Sequence, residues 1–289
     1  MKQQKGSGWL DLLVIGGAFA ALLWLERRRP LRRTIEPKDR RERRNLAVAA
    51  LSAAAIRLTE KPVVEPLAEM VERRRWGLIK RLDLPAWLEV PLAVALLDYT
   101  LYLWHILVHK VPLLWRFHQV HHVDLDLDAS TAVRFHFAEM VLSVPWRAAQ
   151  VVLLGVSPRA LRLWQTLTLV EVMFHHSNVE LPIEVERWLS KILVTPRLHG
   201  IHHSIVHEET DSNWSSGLTL WDWLHGTLRL NVPQEEITIG VPAYRDPDEV
   251  TLPHLLAMPF EKQRPTWQLP GDGEPARPPL PVEANHLLE

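Results

Sequence analysis

Three histidine boxes at helical spacing restrict this chain more than any other feature. His105 and His109 are four residues apart. His118, His121 and His122 form a second group, and His199, His202 and His203 repeat its spacing. Residues three and four apart share one face of a helix. Each box therefore sets two or three imidazoles along one stripe. A lone histidine is usually a surface group or a hydrogen-bonded core residue. Eight of them in three boxes, two identically spaced, point to convergence on metal. The fold expected is all-α, because helices must carry the boxes and return them to one place.

The number of imidazoles sets the number of ions. A closed tetrahedral site takes four protein ligands, so eight or nine histidines imply two metals. Imidazole suits iron, zinc, copper and nickel. The chain has no cysteine, which excludes disulfides, zinc-thiolate sites and iron–sulfur clusters carried by this chain. Soluble di-iron bundles use Glu and Glu-x-x-His motifs, and no acid occupies the corresponding spacing in these boxes. A shell of neutral histidines leaves the metal charge uncompensated and draws oxygen-derived ligands to open positions. The net charge of −1 over 289 residues gives no basic signature for nucleic acid.

Apolar blocks alternate with charged ones. Residues 9–25 are long enough to cross a hydrocarbon core and are followed by Glu26-Arg27-Arg28-Arg29-Pro30-Leu31-Arg32-Arg33. A signal peptide has the reverse charge bias, so a retained anchor is expected, with its Arg cluster on the cytoplasmic side. The charged stretch 36–44 reads as solvated. Residues 45–58 are short for a span, and Pro62 and Pro66 are expected to break or kink the chain beyond it. Residues 67–82 suit an interfacial amphipathic helix. The best internal span is 87–107. Asp98 lies inside it, two turns before His105, where two readings stand side by side: a hydrogen bond to a ligating histidine, or polarity used in packing the helix. Asp124, Asp126 and Asp128 read as a solvated acidic loop. Residues 140–156 and 161–174 read as a membrane hairpin turning at Gly155 and Pro158, in which Arg147, Arg159 and Arg162 need interfacial or buried partners. Thr195-Pro196 starts the helix of the last box, with Thr as N-cap and Pro at N1. From about 264 the chain is Pro-rich and expected to be disordered. Thirteen tryptophans against three tyrosines fit a membrane–water interface.

The boxes, beside these spans, resemble the fatty acid hydroxylase/sterol desaturase superfamily of integral-membrane histidine-box di-iron oxygenases, in its bacterial sterol desaturase-like form. The resemblance extends to Arg134-Phe135-His136, His176-Ser177-Asn178, Thr195-Pro196-Arg197, Glu209-Thr210-Asp211-Ser212-Asn213 and Leu220-Trp221-Asp222 with Gly226-Thr227. It covers about residues 84–230. Phe137 and His225 depart from the usual pattern, and neither lies in a box. The resemblance implies metal ligation by His105, His109, His118, His121, His122, His199, His202 and His203. His176 is the ninth, and His136 and His175 are further candidates. It also implies roles for Asn178 and Asp222, beside Asp98, among the catalytic residues.

The chain divides into three segments: 1–83 with the anchor and basic or interfacial helices, 84–232 as the catalytic domain, and 233–289 as a C-terminal extension. The architecture implied is an integral-membrane helical bundle with a cytosolic, histidine-lined cap. The implied cofactor is two Fe ions, with zinc able to replace them in purified protein. The implied reaction is O2-dependent hydroxylation or desaturation of a C–H bond in a lipid: a sterol, fatty acyl chain or related apolar substrate. No dinucleotide fingerprint, cysteine cluster or fused haem domain is present, so electrons must come from an external donor such as a ferredoxin or a cytochrome b5-like protein. The main alternative is a di-zinc membrane hydrolase acting on a lipid ester or phosphate. A metal-stabilised scaffold and a bis-histidine haem protein are further readings.

Overall fold

The computed structural model describes residues 8–271 and 273–277, and within them the chain is helical. No β-sheet forms among the described residues; extended pairing is limited to isolated bridges such as Pro30 with Val179. The helices run α1 (Gly8–Arg28), α2 (Lys38–Ala55), α3 (Lys61–Arg74), α4 (Leu78–Arg81), α5 (Ala86–Lys110), α6 (Pro112–His122), α7 (Phe137–Leu154), α8 (Pro158–His176), α9 (Ile183–Leu189), α10 (Pro196–His202), α11 (His207–Thr210), α12 (Leu220–His225) and α13 (Leu252–Ala257).

Three of these are long and apolar enough to cross a membrane: α1, α5 and α7. On α1 only 6% of the apolar window is buried, and Trp9, Leu12, Leu13 and Trp24 are exposed. Such a face is stable only against lipid. This is an all-α, integral-membrane bundle. Helix α5 lies deeper, packed on α8, α7 and α6. Its buried residues Ala93, Leu97, Leu101 and Val108 join Val64, Val71, Val151 and Leu161 in the main apolar core.

Local chemistry sets the helix ends. Ser157 caps α8 by accepting from the Ala160 N–H at 3.3 Å, with Pro158 in the first turn. Thr195 and Pro196 start α10 in the same way, as the sequence predicts. At the end of the bundle away from the histidines, α7 stops at Gly155 with φ +85°. A Cβ on Gly77 would overlap the Gly155 backbone. Two chain reversals pass here at backbone contact, which only glycine permits.

Four expectations need correction. Pro62 and Pro66 do not break the helix: α2 runs into α3 through a π-helical turn, Ile56–Glu60, with Pro62 in the first turn of α3 and Pro66 inside it. The stretch 67–82 is not one helix: α3, with Val64, Ala68 and Val71 on its buried face, ends at Arg74, and α4 follows. The stretch 36–44 is not solvated, because Glu36, Arg41 and Arg44 are buried. Nor is the acidic loop, where Asp124, Asp126 and Asp128 are buried. These groups satisfy one another. Asp124 takes Arg41 Nε at 3.1 Å, Arg134 Nη1 at 3.0 Å and Arg44 Nη2 at 3.2 Å. Asn45 and Thr131 also donate to it, each at 2.9 Å. In the C-terminal extension Arg264 pairs with Glu249 and Arg277 with Glu209, and residue 272 is outside the described residues. The rest of the tail, 278–289, lies outside the described residues.

The N-terminal anchor is joined to this framework. Glu26, buried at the end of α1, accepts from the backbone N–H of Ala129 at 2.8 Å and of Asn178 at 2.9 Å, and takes Lys38 Nζ at 2.5 Å. The segments 1–83 and 233–277 thus pack onto 84–232.

Candidate metal centre

The three boxes lie on α5, α6 and α10, and the ends of these helices meet at one end of the bundle. His176, the last residue of α8, completes the group. Two sets of four imidazoles emerge, each able to hold a metal ion: His105, His109, His122 and His202; and His121, His176, His199 and His203. Within each set the ligating atoms lie within 4.8 Å of one another. The sets are adjacent, with His122 and His203 stacked at 4.2 Å.

The second set is the tighter. The Nε2 atoms of His176 and His121 stand 2.9 Å apart, those of His199 and His176 3.0 Å, and those of His203 and His199 3.1 Å. Metal–nitrogen bonds of about 2.0–2.1 Å in a tetrahedron put nitrogens about 3.3 Å apart. His176 donates from Nδ1 to the Val172 carbonyl at 2.7 Å, so its Nε2 presents a lone pair to the group. In the first set His105 donates from Nδ1 to the Trp214 carbonyl at 2.7 Å, and His202 to the Ser212 carbonyl at 2.9 Å. Their Nε2 lone pairs also face inward. Buried nitrogens of His109, His122, His202, His121, His199 and His203 have no hydrogen-bond partner. A buried polar atom without a partner is costly; in the first set these are both nitrogens of His109 and the Nε2 atoms of His122 and His202, and in the second set they are the Nδ1 atoms of His121, His199 and His203, whose Nε2 atoms face their neighbours. The donor set fits two metal ions.

Burial, and then the neighbouring imidazoles, push His121, His122, His199 and His203 well below the ordinary histidine value. Burial takes His202 down to about 3. The folded chain keeps these rings neutral, the form that binds metal.

His118 belongs to neither set. Its ring lies between them, 4.8 Å from His109 and 5.3 Å from His121. Its Nδ1 donates to Glu139 Oε1 at 2.9 Å, and its Nε2 is buried without a partner. Glu139 is not among the residues that the sequence singles out. Its one signal there is an acid in the first turn of an apolar helix, three residues after His136. A carboxylate on the far nitrogen fixes the tautomer and raises ligand basicity. Glu139→Ala is expected to weaken metal retention by about 10- to 100-fold, measured by competition with a chelator. Unchanged retention would reduce Glu139 to a packing group.

The other sequence-predicted residues have different surroundings. His175 packs on His199 at 4.0 Å but is outside both sets. His136 is also outside: its Nδ1 accepts from the Ala138 N–H at 3.1 Å as the cap of α7, and its Nε2 is 3.3 Å from the Leu256 carbonyl. Asp98 does not reach a histidine. Two helical turns separate it from His105 by about 10 Å, too far for a hydrogen bond. It accepts instead from the Leu218 N–H at 3.0 Å and the Trp221 indole at 2.7 Å. Asp222 accepts from the N–H groups of Trp214 and Ser215, at 2.8 and 2.9 Å, and from Thr227. Asp98 and Asp222 therefore pin the loop whose Trp214 carbonyl orients His105. The Trp214 ring packs on His109 at 4.6 Å. Asn178 exchanges two 2.8 Å bonds with the Arg32 backbone and ties the anchor to the end of α8.

A cavity of about 1140 Å³ opens from this centre. His105, His118, His121, His176 and His199 line one end. Leu101, Trp104, Leu161 and Met173 line the cavity as well, and so do Glu60 and Arg147.

Residues 90–227 match the fatty acid hydroxylase family. The chain is 33% identical over 162 residues to the ornithine lipid hydroxylase of Rhizobium tropici, covering 54% of this chain and 46% of that protein. It is 29% identical over 174 residues to the cholesterol 25-hydroxylase of Rattus norvegicus, covering 57% and 55%. It is 28% identical over 139 residues to the alkylglycerol monooxygenase of Xenopus tropicalis, covering 48% and 29%. The chain thus spans about half or less of the length of these relatives. No solved structure matches.

Proposed function

Residues 90–227 belong to the fatty acid hydroxylase family, and on that premise we propose that the chain is a membrane-bound di-iron oxygenase that hydroxylates a lipid. The observation that carries this reading is the pair of adjacent four-histidine sets at the mouth of an apolar cavity. The activities for which the relatives are named, hydroxylases and a monooxygenase acting on lipids, favour hydroxylation over desaturation and over hydrolysis. In this reading 84–232 is the catalytic domain.

His105, His109, His122 and His202 would hold one iron, and His121, His176, His199 and His203 the other. His118, oriented by Glu139, is the next nearest donor. The irons would supply two-electron activation of O2. The balance is one C–H bond converted to C–OH, the second oxygen atom released as water, and two electrons and two protons consumed.

The protein supplies position and dryness. Met140, Leu161 and Met173 line the approach to the histidines and exclude water from an apolar chain. Trp214 closes over His105, His109 and His202. Asp98 and Asp222 act as positioning residues through the loop they pin.

The electrons come from an external carrier, such as a ferredoxin or cytochrome b5-like donor. The histidine end coincides with the Arg-rich end of α1: Arg32 bonds to Asn178, two residues from His176. The excess of Lys and Arg at membrane ends marks the cytoplasmic side, so the centre would face the cytoplasm.

The test is incubation of the purified, iron-loaded protein with reductant, a membrane lipid extract and isotopically labelled O2. A lipid product carrying one labelled oxygen is expected, with none when O2 or reductant is omitted. Lipid turnover that persists without O2 would overturn the oxygenase reading in favour of hydrolysis.

A further inference from the structure

We propose that Arg147 holds the negatively charged headgroup, a carboxylate or a phosphate, of the lipid that occupies the histidine-lined cavity. What happens to that lipid at the other end rests on the oxygenase reading; its binding does not.

Arg147 lies within α7, one of the helices apolar enough to span a membrane. A guanidinium at that depth is costly and normally faces the protein interior with a counter-charge. Glu60 and Glu139 act on it only from longer range, and among the described residues no carboxylate lies within ion-pair distance of Arg147. Its partners are the Gln150 side-chain oxygen, 3.2 Å from Nη1, and the Trp164 ring, 4.9 Å from the guanidinium carbon. Gln150 is itself held by donating to Thr100 Oγ1 at 2.6 Å. Glu60 lines the same cavity without reaching ion-pair distance.

The geometry suits an oxyanion with two oxygens to offer. Trp164 covers a face of the guanidinium, and a single nitrogen is used by Gln150. The remaining N–H groups of the fork are left for a two-point contact with carboxylate or phosphate. Arg147 and the histidines line one continuous cavity. Glu139, at the histidine end, and Arg147 are on the same helix, about 12 Å apart at the α-helical rise. Leu161 and Met173 lie beside this path, as an acyl chain requires. The arrangement is a charged anchor, an apolar run and a metal centre.

The experiment is equilibrium binding to the as-purified full chain under argon without reductant, read by native mass spectrometry. Two matched pairs of probes are used: palmitic acid against methyl palmitate, and lysophosphatidic acid against monoacylglycerol. In at least one pair the anion is expected to bind about tenfold or more tightly than its uncharged partner. The pair showing this preference identifies carboxylate or phosphate. Arg147→Gln is expected to erase it, and Arg147→Lys, which keeps the charge but loses the two-point fork, to retain only part of it. The methyl ester and monoacylglycerol comparisons need no variant, so a folding defect in Arg147→Gln does not remove the test. Equal binding within both pairs, or a preference that survives Arg147→Gln, overturns the assignment. Binding here needs neither O2 nor turnover. Loss of the oxygenase reading would leave it standing, and labelled product from a lipid bound without charge preference would sink this assignment alone.

Discussion

Replacing His199 with alanine is expected to lower the metal content from two ions per chain to one and to cut lipid turnover at least about 100-fold. His199 Nε2 stands 3.0 Å from that of His176 and 3.1 Å from that of His203, so its loss opens the tighter set. His136→Ala is the matched control. That ring spends its nitrogens on α7 and the Leu256 carbonyl, and both ions should be retained. Elemental analysis of the two purified variants decides the matter; equal metal loss in both would disconnect metal from the sets described. The same centre sets a pH limit. Burial, followed by neighbouring imidazoles, depresses His121, His122, His199 and His203, and burial takes His202 to about 3. The unfolded chain protonates them near 6.5, so their contribution to stability is complete above that value. It is lost as the pH falls from there toward about 3. Protons compete with metal over the same window, and metal content after equilibration at successive pH values should fall across it.

The second large effect lies outside the centre. Asp124→Ala should destabilise the protein by about 3–5 kcal/mol, because removing one partner of a buried ion network strands the others. Arg41 and Arg134 are fully buried and Arg44 nearly so. Burial alone would raise the Asp124 carboxyl; Arg41, Arg134 and Arg44 outweigh it and hold the group well below the usual carboxylate range. Asp124→Asn, which keeps an acceptor for Thr131, should fall between wild type and Ala. Thermal unfolding in detergent measures both. A loss under about 1 kcal/mol for Asp124→Ala would mean that the arginines find water or other acids when it is gone.

The legibility of this chain follows the range of each interaction. The boxes stand out because ligands three and four residues apart share a helical face, and Thr195-Pro196 stands out because a cap is local. The Arg41–Asp124 network is invisible in the sequence because its members are 83 residues apart. Each, taken with its sequence neighbours, reads as solvated charge. Asp98 shows a subtler limit. Spacing places it on the face of His105 but two turns away, and its partners, Leu218 just before α12 and Trp221 on α12, return from far along the chain. Glu139 escapes notice for a related reason: no acid sits at ligand spacing within the boxes, and the carboxylate comes from a different helix. The need of Arg147 for a partner is plain from its apolar neighbours, but only the fold shows that, among the described residues, no carboxylate comes within ion-pair distance of it.

The clamp at Glu26 changes how the first helix should be regarded. One carboxylate there supports the backbone of Ala129 and of Asn178, two residues past His176. A foreign hydrophobic leader of equal length would restore tethering and still leave those two amides bare, so grafting experiments should carry the junction over together with the greasy part.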